Sequence, residues 1–155
     1  MVRSLLYMGA GIETNYFKSG ATGMAVFRDI AVMQELFGEM WTRMIHETEF
    51  GKELRKNDLS IVFITEDPDA VMYVDGEGPL FGEEAKARTP AVTMRMSGDT
   101  VHRFWLEQVD VPNALVLREI RARGQVAKIL QIIPLLKQGF AIYQEYCEKY
   151  NLPTC

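Results

Sequence analysis

Few residues of this chain have the types and the spacing that bond-making chemistry requires. The sequence HETE at residues 46–49 begins like a zinc-binding helix, but the second histidine of the HExxH motif is absent and position 50 is phenylalanine. We therefore interpret His46, the first residue of this motif, and His102 as surface residues. The aspartates near the predicted turns, Asp67, Asp69 and Asp75, lack the spacing of a calcium loop. The sequence predicts no metal site and no cofactor.

Cys147 is the residue nearest in type to a catalytic nucleophile. It shares the apolar face of a predicted helix with Phe140 and Tyr143, and no base is visible beside it. Such a cysteine is typical of a small buried hydrophobe. The sequence therefore predicts a protein that is not an enzyme. The alternative is an enzyme, or an accessory of one, that acts on acyl thioesters through Cys147.

Charge and composition narrow the class of protein further. The net charge of −4 and the sequence pI of about 5.3 argue against a nucleic-acid partner, which usually requires a basic face. The two cysteines are too few for a disulfide framework, so we expect a reducing, cytoplasmic environment. The apolar run at residues 5–10 is too short to span a membrane, and the polar residues that follow it do not suit a signal peptide.

The length of 155 residues fits one domain, which we place at residues 24–155 after an irregular arm of residues 1–23. Its first predicted element is a long amphipathic helix within residues 24–55, where apolar residues recur at spacings of three and four. Gly38 and Gly51 each weaken this helix by about 1 kcal/mol relative to alanine. We expect the helix to kink or end near Gly51.

Three short segments predict strands in the middle of the chain. Residues 59–65 are apolar on both faces, which is typical of a central strand, and a tight turn joins them to a second strand at residues 70–75 as a hairpin. Residues 90–96 alternate as a half-buried strand, and Ser97 is suited to cap the helix that follows. Residues 80–88 can form a helical turn or extend the sheet edge, and the sequence does not decide.

The C-terminal part continues with one more strand and apolar helices. Residues 118–123 alternate arginines with apolar residues and predict a strand that Gly124 ends. Residues 125–133 predict a helix with a broad apolar stripe. Pro134 has no amide hydrogen and must bend or restart the helix, so the last helix follows at about residues 135–150.

Four motifs resemble the sterol carrier protein type 2 family: PAVTMRMS at residues 90–97, NAL at 113–115, REIRARG at 118–124 and AKILQIIPLL at 127–136. In that family a strand ending in serine enters a helix, and a basic strand closed by glycine precedes an apolar helix. The resemblance implies an α+β fold with about five strands in a mostly antiparallel sheet and helices packed on one face. It also implies an apolar cavity between the sheet and the C-terminal helices.

The resemblance implies that apolar side chains from several elements line this cavity. The candidate lining residues are Phe63, Met72, Val74, Met94, Met96, Phe104, Trp105, Ile120, Ile129, Ile133 and Leu136. The alternative is that they fill an ordinary core. The chain has nine methionines, whose side chains give a cavity deformable walls.

A basic cluster supplies candidates for contact with a polar headgroup. Arg118, Arg121 and Arg123, together with Arg103 and Lys128, can meet phospholipid headgroups or the phosphates of coenzyme A. The alternative is a solvated sheet face on which the cations pair with the acidic residues at positions 107 and 119.

The expected function is non-catalytic binding or transfer of a lipid: a fatty acid, an acyl-CoA, a phospholipid or a sterol-like molecule. We expect the partner to be that hydrophobic small molecule, with transient contact at a membrane surface. The alternative is a protein-interaction or regulatory module with a filled core, which forms a homodimer through the helix of residues 24–55.

Overall fold

A computed structural model describes residues 26–154, apart from the side chains of Val126, Ile129 and Ile132. It is an α+β fold around one five-stranded sheet, as the sequence predicts. The strands are β1 (Ile61–Glu66), β2 (Ala70–Asp75), β3 (Gly78–Phe81), β4 (Val92–Ser97) and β5 (Arg121–Gly124). The α-helices are α1 (Ile30–Glu47), α2 (Glu49–Lys56), α3 (Gly82–Lys86), α4 (Gly98–Trp105), α5 (Val111–Val116), α6 (Val126–Ile132) and α7 (Gln138–Lys149). The predicted arm of residues 1–23 lies outside the described residues.

The strands lie in the order β3-β2-β1-β4-β5. The predicted hairpin of β1 and β2 is present, and β1 is the central strand. The pairs β1–β2, β2–β3 and β4–β5 are antiparallel, whereas β1 and β4 run parallel. The sheet is therefore mostly antiparallel, in agreement with the sequence. The parallel pair requires a crossover, and the segment from β3 to α3 supplies it.

The helix predicted within residues 24–55 is two helices that meet at Thr48. This residue has an extended backbone, with φ −131° and ψ 176°. Its hydroxyl donates to the carbonyl of Met44 at 2.6 Å and accepts from the amide of Phe50 at 3.2 Å, so it ends α1 and caps α2. The break comes three residues before Gly51, because the capping side chain, not the glycine, ends the helical hydrogen bonding.

Residues 80–88, which the sequence leaves undecided, contain both alternatives. They complete β3 at the sheet edge and then form α3. The buried Ala85 of α3 packs with Val62 and Tyr73 on one face of the sheet. The other α-helices that contact the sheet, α1, α2 and α4, cover its opposite face, where the main core lies, and α7 packs on α1 and α4. The short helix α3 thus covers one face of the sheet, and several helices cover the other.

The apolar stripe of α1 is buried within its own chain. The buried residues of this helix are Met33, Leu36, Phe37, Met40, Trp41, Met44 and Ile45. They pack against the sheet and against α7. This face of α1 is not open to a partner, so a dimer through this helix needs a different surface of it.

The segment from α6 to α7 bends at the predicted proline. A short 3₁₀-helix, Ile133–Lys137, contains Pro134 and connects the two α-helices. Within residues 26–154, no helix is both long enough and apolar enough to cross a bilayer.

Candidate ligand cavity

A small enclosed cavity lies in the main core between the sheet and the helices. Its volume is about 40 Å³. The lining residues are Phe37, Trp41, Ile61, Phe63, Met72, Met94, Met96, Val101, Phe104, Trp105, Val111, Ile120, Ile133 and Leu136. All of them are aliphatic, aromatic or methionine, and apolar cavities of this kind stay dry.

The register of the sheet explains one wall of the cavity. Phe63 of β1 lies between Met72 of β2 and Met94 of β4, so three large side chains stand side by side across the central strands. Side chains alternate between the faces of a strand, and Ile61 and Met96 therefore point to the same side. The alternation predicted from the sequence is what brings this wall together.

Aromatic rings from α1 and α4 form the facing wall. Trp41 stacks on Phe63 with ring centroids 5.7 Å apart, and it meets Trp105 edge to face at 5.4 Å. Phe104 packs edge to face on Trp105 at 5.0 Å. The indole N–H of Trp41 is buried without a hydrogen-bond acceptor among the described residues. A buried donor left in this way costs about 1 to 3 kcal/mol, so an acceptor brought by a ligand would stabilise this wall.

Nine of the eleven predicted lining residues surround this cavity. Val74 is buried in the same core but does not line the cavity. The side chain of Ile129 is not among those that the structure describes. The sequence reasoning missed Phe37, Trp41, Ile61, Val101 and Val111 as lining residues. Phe37 and Trp41 share one stripe of α1 at a spacing of four, a signal that marks them as buried but not as cavity wall. A ligand-binding role for the lining residues stays a prediction.

The predicted basic cluster is spread over several elements. Arg118 lies in the turn before β5 with a φ of 63°, and Arg121 and Arg123 are exposed on β5. Arg121 lies 3.5 Å from Glu66, an ion pair the sequence did not suggest. In the part of the chain that is described, no ion pair involves Arg118 or Arg123. Their role as headgroup contacts stays a prediction.

Two other cations of the cluster have partners. Arg103 lies 3.8 Å from Glu119, one of the two acidic residues that the sequence offered as partners. Lys128 donates to the backbone carbonyl of Asn57 at 3.4 Å. Both contacts are at the exposed or half-exposed surface, where such pairs contribute little to stability.

Cys147 is a fully buried residue of α7, with its thiol near Tyr143. Burial raises the pKa of Cys147 to about 11. A nucleophilic cysteine needs the opposite shift, because the thiolate is the reactive form. The environment of Cys147 is therefore that of a core residue.

The interpretation of His102 as a surface residue is wrong, because its ring is buried. Nε2 lies 2.7 Å from the carbonyl oxygen of Pro153, and Nδ1 lies 2.7 Å from the hydroxyl of Tyr143. A carbonyl only accepts, so Nε2 carries the proton and Nδ1 accepts from Tyr143. This neutral ring joins α4 to α7 and to the C-terminal residues. His46, in contrast, is exposed as predicted.

The buried His102 is expected to make the folded chain less stable in mild acid. Desolvation by burial lowers the pKa of His102 below its ordinary 6.5, and the Pro153 carbonyl and Asp99 oppose the shift. As the pH falls through about 6.5, the unfolded chain binds a proton that the folded chain does not, so the free energy of unfolding decreases by up to about 1.4 kcal/mol per pH unit. Urea unfolding at a series of pH values measures this slope. His102→Gln should remove it and His46→Gln should keep it; equal slopes in all three chains would contradict the assignment.

The described residues contain no group of three or more His, Cys, Asp or Glu side chains that could hold a metal ion. Asp67, Asp69 and Asp75 thus form no such group with their neighbours.

The fold is that of sterol carrier protein 2. The chain is similar to the apo form of sterol carrier protein 2 from Yarrowia lipolytica, with a TM-score of 0.56 and 13% identity over 79% of this chain and 96% of that one. It is also similar to the sterol carrier protein domain 2 of Helicoverpa armigera, with a TM-score of 0.55 and 13% identity over 71% and 88% of the two chains. No family model and no curated protein sequence matches. The fold expected from the sequence motifs is confirmed. At 13% sequence identity, these similarities show the fold alone.

Proposed function

We propose that this chain binds a lipid in the cavity between its sheet and its helices and carries it without chemical change. The observation that supports this function best is the cavity itself, which is enclosed by apolar side chains from both walls. The likeness to two sterol carrier proteins supports the same class of ligand. The burial and raised pKa of Cys147 argue against thioester chemistry at that residue.

The driving force for binding is the transfer of apolar ligand surface out of water, which contributes about 25 cal/mol per Å². The cavity of 40 Å³ is much smaller than the roughly 300 Å³ or more of a typical ligand pocket, so the walls must move apart to admit a lipid. Met72, Met94 and Met96 suit such a change, because unbranched thioether side chains repack at low cost.

The 3₁₀-helix is the element that we expect to open. Its Ile133 and Leu136 line the cavity, while Pro134 between them is exposed and has no amide hydrogen to hold the segment to a neighbour. Displacement of this short segment would uncover the cavity without breaking the sheet or separating α1 from it. We expect the bend at Pro134, between two cavity-lining residues, to act as the gate.

Titration of the delipidated chain tests the proposed function. Trp41 and Trp105 stand in the cavity wall, so their fluorescence reports directly on a ligand that enters. The panel contains fatty acids, acyl-CoA, phospholipid and sterol analogues, each paired with a hydrocarbon that lacks oxygen, because the unpaired N–H of Trp41 favours a ligand with an acceptor. We expect micromolar binding with one ligand per chain. If no compound binds at that concentration, the proposal is wrong.

The small volume of the cavity favours a second candidate, an interaction module whose core is filled. In that case the chain would form a stable oligomer or complex without any lipid. Light scattering on delipidated protein separates the two, because a lipid carrier of this size can remain a monomer. Both candidate functions are compatible with the cytoplasmic location predicted from the cysteine usage. This location stays a prediction.

A further inference from the structure

Two neighbouring aliphatic side chains stand out in solvent where α5 ends. Val116 is 78% exposed and Leu117 is 63% exposed, and both exceed the other exposed large hydrophobic residues of the described chain. Arg118 follows directly with a φ of 63°. We call these three residues the α5 tip. Exposed aliphatic pairs on a soluble domain mark contact sites more often than single exposed residues do.

The backbone holds the α5 tip in this position. The amides of Glu119 and Ile120 both donate to the carbonyl of Ala114, at 2.9 and 3.2 Å, and close the chain around the tip. Val111 on one side of the tip and Ile120 on the other are cavity-lining residues. The tip therefore lies within residues 111–120, a segment whose first and last residues line the cavity, and the tip's own side chains Val116 and Leu117 are exposed.

The segment of the chain that begins at the tip has a charge opposite to that of the whole chain. Residues 116–128 contain four basic residues and one acidic residue, a net charge of +3 in a chain whose net charge is −4. The basic residues are Arg118, Arg121, Arg123 and Lys128. A surface that combines exposed aliphatic side chains with positive charge is complementary to anionic lipid.

We propose that the α5 tip docks the protein on an anionic phospholipid bilayer. Val116 and Leu117 enter the boundary between headgroups and acyl chains, and Arg118 contacts lipid phosphates. Arg121 and Arg123 add attraction from the neighbouring strand. Because Val111 and Ile120, which flank the tip in the chain, line the cavity, docking places the cavity beside the membrane. Two aliphatic side chains give only weak, reversible attachment, which suits a protein that must leave with its ligand.

Charge argues against two other occupants of this surface. A second copy of the chain placed symmetrically on the tip would bring the Arg118 residues of both copies together, and like charges disfavour that contact. The arm of residues 1–23 contains Arg3, Lys18 and one acidic residue, Glu13, so it is also positive. An anionic bilayer is the partner whose charge and apolar interior match both properties of the tip.

Vesicle flotation with the full chain tests the docking surface. The probes are vesicles of phosphatidylcholine alone and of phosphatidylcholine mixed with phosphatidylserine. We expect binding to the mixed vesicles that falls with added salt. The double variant Val116→Ser, Leu117→Ser should weaken it at least about tenfold, because each side chain loses most of its transfer from water. Arg118→Gln should weaken it about fivefold, the equivalent of about 1 kcal/mol for one basic residue.

Matched controls change exposed residues on α1 and α2, outside the tip and β5. Ile30→Ser removes an aliphatic side chain that is 41% exposed, and Lys56→Gln removes one exposed positive charge; both should bind vesicles like the parent chain. Equal binding of all variants, or no binding of the parent, would overturn the proposal. So would a concentration-dependent dimer that the double serine variant loses, because the occupant would then be a second copy.

The purpose of docking rests on the proposed lipid binding, but the vesicle experiment tests docking independently of it. The double serine variant leaves the cavity lining intact, so its affinity for lipid in the soluble titration should equal that of the parent chain. Failure of vesicle binding with normal ligand binding removes the docking surface alone. Normal vesicle binding with no ligand binding removes the proposed function alone.

Discussion

Replacing Val101 with phenylalanine is expected to lower lipid affinity at least about tenfold while the chain stays folded. Val101 lines the cavity from α4, and a ring in its place occupies the space that a ligand must enter. An existing void receives part of the added volume, so the cost in stability should lie at or below the lower end of the 1 to 3 kcal/mol usual for overpacking. Ligand titration and urea unfolding of the same variant measure the two effects.

The control for this variant is the same substitution on the other face of the sheet. Val62 is buried against Tyr73 and Ala85, away from the cavity. Val62→Phe should cost more stability than Val101→Phe and should leave lipid affinity unchanged. If Val101→Phe binds lipid as the parent chain does, the ligand does not occupy this cavity.

Replacing Gly51 with alanine is expected to destabilise the fold by about 3 kcal/mol or more, the largest loss of stability predicted here. A Cβ atom at this position would overlap the backbone carbonyl of Ile45 in the last turn of α1. Backbone atoms cannot rotate away, so α2 would have to move off α1. The urea midpoint of the purified variant gives the size of the effect, and a loss below about 1 kcal/mol would contradict the close packing of the two helices.

Gly38→Ala is the matched control, with the opposite expected sign. Gly38 lies inside α1, and its added Cβ would meet only the ring of Phe81 at 3.5 Å, an ordinary contact. Alanine should therefore stabilise the helix by about 0.5 to 1 kcal/mol. The sequence assigns the same cost to both glycines, because helix propensity depends on residue type alone. Their difference comes from what each glycine touches across the helix boundary, which no local pattern contains.

The cavity shows the same difference between what a local sequence pattern predicts and what depends on contacts between distant parts of the chain. The alternation of residues 90–96 and the apolar faces of residues 59–65 predict which strand side chains share a face, and the structure places Phe63, Met94 and Met96 on one wall. The stripe of α1 predicts that Phe37 and Trp41 are buried. It does not say that α1 faces those strands, because that depends on long-range packing.

His102 shows where sequence reasoning lacks the needed information. One histidine in a short helix looks like a surface residue, because neutral rings are costly to bury without partners. The partners of His102 are Tyr143 and the carbonyl of Pro153, which lie 41 and 51 residues further along the chain. The break at Thr48 is different, since a threonine followed by an acidic residue is a recognisable start of a helix, and the sequence could have placed it there.

Native mass spectrometry of the freshly purified full chain tests lipid binding in the cavity most directly. We expect a population with one added mass in the range of a single lipid, which delipidation removes and a binding lipid from the titration restores. The Val101→Phe chain should carry no such mass, and the Val62→Phe chain should carry it. A parent chain found only at its own mass, before and after lipid is added, would contradict the proposed function.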